Sequence, residues 1–308
     1  MTKIFDSTTS AKSFLKSGSA LTIGNYDGVH LAHQKILKKL ISCAKTHRLK
    51  SVLLTFEPHP VKILAPKLAP KMIMTLEQKI ETLFHLGLDA IVVQKFDHKF
   101  AKHSAKEFFK KFLKKDLRAK IILVGYDFTF GTKRSGTIET LEELGKQEKL
   151  HIEIMPAQME KETLVSSTLI RKLICEGKVD LAKKYLTRFY GLTGTVVQGH
   201  KRGTALGIHT ANLITENELI PEDGVYATFV ELQGKIYKSA TNVGFNPTFN
   251  NTERSLETHI FDFDSDIYQK KIRLSFVKKI REEIKFVSPE ALVVQIQKDI
   301  KEAKKILK

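Results

Sequence analysis

Two histidines stand three residues apart in the stretch GNYDGVHLAH (24–33), between the apolar run ALTI (20–23) and a helix-like pattern. At that spacing the imidazoles of His30 and His33 leave a helix in the same direction. Gly24 and Gly28, with Asn25 and Asp27 between and beside them, let backbone approach a ligand closely. The free N–H groups of a helix start attract an anion. Together these features suit a phosphate whose charge grows as it is attacked. Two other readings use the same residues. Zinc ligation is one, although no Glu separates the histidines and no third ligand lies nearby. Ordinary solvated surface is the other.

Three more stretches carry comparable residues. TFEPHP (55–60) and GYDFTFG (125–131) are strand exits rich in aromatic and turn residues: Phe56 and Pro58 in one, Asp127, Phe128 and Phe130 in the other. VSSTLIR (165–171) places the hydroxyls of Ser167 and Thr168 at a helix start with Arg171 one turn in. That arrangement suits a second anionic group, or simply a helix cap. Further on, GHKRGTALGIHTANL (199–213) is a glycine-punctuated loop running into a strand, without the GxxxxGK[ST] of a P-loop. In LETHI (256–260) alternation sends Glu257 to the face opposite Leu256 and Ile260. A strand carboxylate near a glycine loop serves as a general base, or faces solvent.

The elements that must position these residues follow two rhythms. Up to about residue 185, the apolar runs LTI (21–23), VLLTF (52–56), AIVV (90–93), IILV (121–124) and IEIM (152–155) alternate with amphipathic segments. One such segment puts Ile36, Leu37, Leu40, Ile41 and Ala44 on one face. Such alternation predicts a parallel sheet covered by helices, with ligands beyond the carboxyl ends of its strands. From about Tyr190, LTGTVVQG, GVYATFVEL, KIYKSATNVG, LETHIFDFD and KIRLSFVKK read as antiparallel strands of a barrel or sandwich. A helical bridge over 167–186, interrupted at Gly177, joins the halves, and a last helix starts at Ser288-Pro289-Glu290.

Composition narrows the class. With 308 residues, 42% hydrophobic and 28% charged, two globular domains are the expectation. No run of about 18 apolar residues marks a membrane span, and the first residues lack the apolar core of a signal peptide. The two cysteines, Cys43 and Cys175, make no disulfide framework, which fits the cytoplasm. The net charge of +17 comes from 42 lysines and nine arginines against 34 acids. The lysines are scattered along helices rather than gathered in a stripe, which argues against nucleic-acid binding and leaves a general lysine bias of the proteome, or attraction of small polyanions, as the readings of the charge.

Taken together and in this order, the motifs resemble the bacterial bifunctional riboflavin kinase/FAD synthetase family. Its GxFDGVHxGHQ is similar to residues 24–34, its FxPHP to 56–60, its GxDFxFG to 125–131 and its SSTxIR to 166–171. Its flavokinase half is similar to GTALGIHTANL (203–213), GVYA (224–227), NVGFNPTF (242–249), LETHIFDFD (256–264) and IREEIKF (280–286). The resemblance implies an α/β, Rossmann-like nucleotidylyltransferase domain over 1–186. It implies a six-stranded antiparallel β-barrel flavokinase domain with a C-terminal helix over 187–308. In that reading riboflavin is phosphorylated to FMN and FMN adenylylated to FAD, with ATP and Mg2+.

By the same resemblance His30 and His33 bind ATP phosphates and stabilise the transfer. Gly24, Asn25, Asp27, Gly28, Asp127, Ser167, Thr168 and Arg171 hold the nucleotide, and Phe56, Pro58, Phe128 and Phe130 lie by the flavin. In the second half Gly203 and Gly207 hold nucleotide, Thr210 and Asn212 hold Mg2+, and Glu257 takes the proton from the attacking hydroxyl. The expected partners are small molecules alone, with no nucleic acid or membrane, in a monomer or weak homo-oligomer. Five positions depart from the pattern. Tyr26 and Ala32 replace Phe and Gly in the first motif; Thr204 replaces Arg, and Ile208-His209 replace Phe-Pro, in the kinase loop. Losing that arginine removes a planar donor fork, and losing the proline frees the backbone before Thr210. A monofunctional FMN adenylyltransferase with a weakened kinase half is therefore the alternative, and a basic nucleic-acid-binding module a more distant one.

Overall fold

The computed structural model describes residues 2–198, 209–245, 254–284 and 286–308. Gly203, Thr204 and Gly207 lie outside them. The chain divides into two compact units, one of residues 1–70 and 76–166, the other of residues 71–75 and 167–308.

The first unit is built on a six-stranded parallel sheet: β1 (Lys3–Phe5), β2 (Ser19–Ile23), β3 (Lys50–Glu57), β4 (Ala90–Lys95), β5 (Ala119–Gly125) and β6 (His151–Met155). The order across it is β1-β4-β3-β2-β5-β6. Helices α1 (Thr8–Ala11), α2 (Leu31–Thr46), α3 (Pro60–Leu64), α4 (Leu76–Phe84), α5 (Ala105–Glu107) and α6 (Ile138–Gln147) connect the strands, with a π-helical turn over Phe108–Asp116. The apolar runs become strands because both faces are covered; Leu21, Val52, Leu53, Leu54, Ile91, Val92, Ile122 and Leu123 are all 0% exposed. Each such side chain contributes about 1.5–3 kcal/mol. The three-residue edge strand β1 carries no apolar run and escapes the sequence reading.

Asp89 ties the entry of β4 to that of β3. Its carboxylate accepts from Ser51 N at 3.0 Å, Ser51 Oγ at 2.9 Å and Lys50 Nζ at 3.0 Å. Burial alone would raise its pKa, but these hydrogen bonds outweigh burial and hold the carboxyl below its usual range. The strand order reverses between β2 and β5. The loops leaving those two strands therefore part at a crevice, the usual place for a ligand in such a sheet.

A short hairpin, β7 (Met159–Glu160) and β8 (Thr163–Leu164), ends the first unit. The second unit opens with α7 (Ser167–Cys175) and α8 (Val179–Leu186), broken as expected at Gly177. Strands β9 (Tyr190–Val197), β10 (Ala211–Thr215), β11 (Gly224–Leu232), β12 (Lys235–Phe245), β13 (Arg254–Ile260) and β14 (Lys271–Arg281) form a closed antiparallel barrel, ordered β10-β13-β12-β11-β14-β9. Closure decides between the barrel and the sandwich. Inside it, Thr228 Oγ1 contacts Ser239 Oγ at 2.7 Å and Thr241 Oγ1 at 2.8 Å, and Thr241 Oγ1 contacts Thr258 Oγ1 at 3.0 Å. All four residues are fully buried. The last helix, α9 (Pro289–Ile306), is capped by Ser288, which accepts from Ala291 N at 3.3 Å. A salt bridge fastens it to β14: Arg281 Nη2 donates to Asp299 Oδ2 at 2.7 Å, and Arg281 Nε lies 3.0 Å from both carboxylate oxygens.

Candidate active sites

The loop from β2 to α2 is held tightly. Tyr26 takes a left-handed φ of 51° and turns its hydroxyl back 2.7 Å from Thr22 Oγ1, so the ring is 4% exposed. Burial pushes its phenol pKa upward, so the usual phenylalanine is replaced by a tyrosine whose polar atom is satisfied within the fold. Gly28 (φ 83°) and Val29 (φ 40°) complete the reversal. Val29 N donates to the Tyr26 carbonyl at 3.2 Å, and Gln34 Nε2 donates to the Val29 carbonyl at 2.9 Å.

His30 then stands at the N-cap position of α2 without a side-chain capping bond, and His33 follows in its first turn. Their rings stack face to face, with centroids 3.6 Å apart at 18°, and the Tyr26 ring lies 4.6 Å beyond His33. His30 is 4% exposed, which removes the solvated-surface reading. Zinc is also disfavoured: parallel rings do not converge their lone pairs on one ion. Among the described residues no group of three His, Cys, Asp or Glu could hold a metal. Ala32 sits in regular helix, where its methyl needs no special backbone. The Asn25 Oδ1 atom is buried with no hydrogen-bond partner among the described residues.

The two strand exits bring aromatics together. Phe56 meets Phe96 (5.8 Å) and Phe100 (5.9 Å). Phe100 meets Phe108 (6.1 Å), and Phe108 meets Phe130 (5.9 Å). Phe128 stacks on Phe130 at 5.5 Å and 13°, with Phe130 buried and Phe128 half-exposed. Phe56, Phe128 and Phe130 thus belong to one network of rings. Pro58 is half-buried at the end of β3, beside His59, whose Nδ1 accepts from Val61 N and caps α3. Asp127 is exposed beside Phe128. The hub residues Phe100 and Phe108 are not singled out by any motif, because they lie between the motifs. Gly136 also matters: it pairs with Phe130 through both backbone hydrogen bonds, and a Cβ there would sit 2.7 Å from the Phe130 ring.

Ser167, Thr168 and Arg171 open α7 and belong to the second unit. There Arg171 Nε donates to the Lys71 carbonyl at 2.8 Å.

On the barrel, register explains the kinase-like residues. Asn212 of β10 lies directly opposite Glu257 of β13, and Asn242 of β12 faces Glu257 from the other side. Cross-strand partners share a face with Cβ atoms about 5 Å apart. Three polar side chains therefore form one row, all half-buried. Asn242 is the member no motif reading picked out, although alternation about buried Thr241 and Val243 points it outward. Thr210 is exposed two residues before Asn212. A cavity of about 350 Å³ at this end of the barrel is lined by His209, Thr210, Ala211, Thr258, Asp266 and Tyr268, among others. The backbone freed by the missing proline is restrained from outside: the His209 carbonyl is 2.8 Å from His259 Nδ1.

Known proteins share both halves. Residues 13–169 match the family model described as FAD synthetase, and residues 186–307 the one described as riboflavin kinase. A bifunctional riboflavin kinase/FMN adenylyltransferase of Buchnera aphidicola is 39% identical over 295 residues, covering 94% of this chain and 95% of that protein. Those of Haemophilus influenzae and Bacillus subtilis are 38% and 36% identical, covering 93% and 92% of this chain and 94% and 91% of those proteins. A crystal structure from Streptococcus pneumoniae, described as a macrolide-efflux protein, is similar with a TM-score of 0.86 and 30% identity, covering 98% of both chains. Among the described residues of this chain no helix is long and apolar enough to cross a membrane. With both family models on one chain and relatives matched almost end to end, the chain belongs to the bifunctional riboflavin kinase/FMN adenylyltransferase family.

Proposed function

We propose that the chain makes FAD from riboflavin in two ATP-consuming steps. Residues 187–308 phosphorylate riboflavin to FMN, and residues 1–186 adenylylate FMN to FAD. What supports the first step most directly is the row Asn212, Glu257, Asn242 beside Thr210. Glu257 takes the proton of the ribityl 5′-hydroxyl as that oxygen attacks the γ-phosphorus of ATP, and ADP leaves. A threonine hydroxyl, an amide and a carboxylate are hard oxygen donors, few in number, which fits Mg2+ completed by water and phosphate. Thr210 and Asn212 would hold it. When bound, it neutralises charge growing on the phosphate oxygens.

In the second step an FMN phosphate oxygen bonds to the α-phosphorus of ATP, and the bond to the bridging oxygen of pyrophosphate breaks. His30 and His33 donate to the phosphate oxygens as charge grows. Asn25, Asp27, Gly24 and Gly28 shape the loop around the nucleotide, with Asp127, Ser167, Thr168 and Arg171 as further nucleotide contacts. Phe56, Pro58, Phe128 and Phe130 receive the isoalloxazine. Both cysteines are free, in keeping with a cytoplasmic enzyme.

The monofunctional alternative rests on Thr204 and His209. Thr204 lies outside the described residues, and the bond between His259 and the His209 carbonyl supplies a restraint where proline is missing. Incubation with riboflavin, ATP and Mg2+, followed by chromatography of the flavins, tests the proposal. FMN followed by FAD is expected. FAD from supplied FMN but none from riboflavin would establish the alternative instead.

A further inference from the structure

One ionisable group of the first unit lies outside every motif and both steps. Lys79, on α4, is only 7% exposed. Its Nζ donates to the Asn25 carbonyl at 3.3 Å and to Thr55 Oγ1 at 3.4 Å. Thr55, fully buried, donates its hydroxyl to the same carbonyl at 3.2 Å. Those two neutral acceptors, both at long range, are a thin replacement for the water around an ammonium. Burial accordingly pulls its pKa below the usual lysine value, while the charges of Glu57 and Asp27 pull it back up.

A strut beneath Asn25 needs no charge, since the Thr55 hydroxyl already makes one. The charge answers a different need. Asp27 lies in the same loop and is 5% exposed. A buried carboxylate there repels a polyphosphate approaching the histidines. We propose that Lys79 is a positioning residue for adenylyl transfer, whose ammonium beneath loop 24–30 offsets the carboxylates of Glu57 and Asp27 so that the loop accepts the ATP phosphates. The inference rests on the reading of this loop as the ATP phosphate site.

The test uses the full chain and compares Lys79→Met with Thr55→Val, which removes the other hydrogen bond to the Asn25 carbonyl and no charge. Steady-state FAD formation from FMN gives kcat and the KM for ATP, and FMN formation from riboflavin reports on the rest of the chain. Lys79→Met is expected to raise the KM for ATP about tenfold, with a smaller change in kcat. Thr55→Val should leave that KM within about twofold. Adding Glu57→Gln to Lys79→Met should recover part of the lost ATP affinity, which a merely structural lysine would not permit. An unmoved KM, an equal shift in Thr55→Val, or no recovery in the double variant overturns the proposal. If Lys79→Met does not fold, Lys79→Gln carries the same expectations. A wild-type chain that makes no FAD from FMN overturns the functional reading itself; an active wild type with an unmoved KM overturns only the role of Lys79.

Discussion

In the proposed adenylyl transfer His30 and His33, stacked 3.6 Å apart, present two donors to one phosphate. Replacing His30 with alanine is expected to slow FAD formation from FMN by about a hundredfold, the usual loss for one preorganised donor. FMN formation from riboflavin should be unchanged in the same preparation. Glu257→Gln should do the converse, lowering FMN formation by about 10²–10⁴ while leaving adenylylation intact; simultaneous loss of both would mean misfolding. His30, His33 and Glu257 stand out in the sequence only through the resemblance of whole motifs, since their types and spacing alone also suit surface and solvent-facing positions. Lys79 and Asn242 do not stand out. A lysine between two glutamates on an amphipathic helix looks solvated until burial shows otherwise, and Asn242 acquires its meaning only from the register that sets it against Glu257.

At the level of elements, periodicity located the buried strands well, since a parallel sheet covered on both faces admits little but apolar runs. It missed β1, which is short and at an edge, and the π-helical turn, whose aromatic spacing resembles that of an α-helix. Two fastenings between elements can be tested by chemical denaturation. Asp89→Ala should cost about 1–2 kcal/mol, since it removes several hydrogen bonds at a partly exposed site. The Asp89 carboxyl has a pKa below its unfolded value. The stability it contributes is therefore present above the ordinary carboxylate range and is lost as pH falls through the folded pKa. The difference between wild type and Asp89→Ala should accordingly shrink in acid. Arg281→Met should cost about 3 kcal/mol, because it leaves Asp299, 4% exposed, as a buried carboxylate without its guanidinium.

For the whole molecule, each unit has its own buried core, so damage to one reaction need not reach the other. A mixture of His30→Ala and Glu257→Gln chains should convert riboflavin to FAD, after a lag while FMN leaves one chain and enters the other. Neither variant alone should do so within the same time. Failure of the mixture, with each half-reaction demonstrably present, would mean that FMN is not released between steps.

The hydroxyls inside the barrel have a direction. Ser239 Oγ donates to the Thr228 carbonyl at 3.0 Å, and four protons must serve four bonds. Only one assignment satisfies them all: Thr258 gives to Thr241, Thr241 to Thr228, and Thr228 to Ser239. Thr258, in the wall of the cavity, has therefore spent its proton inward and keeps only lone pairs. Its preference for a donor is dictated from the adjoining strands β12 and β11, and Ser239→Ala, by removing the acceptor of the Thr228 proton, would let the remaining protons run the other way.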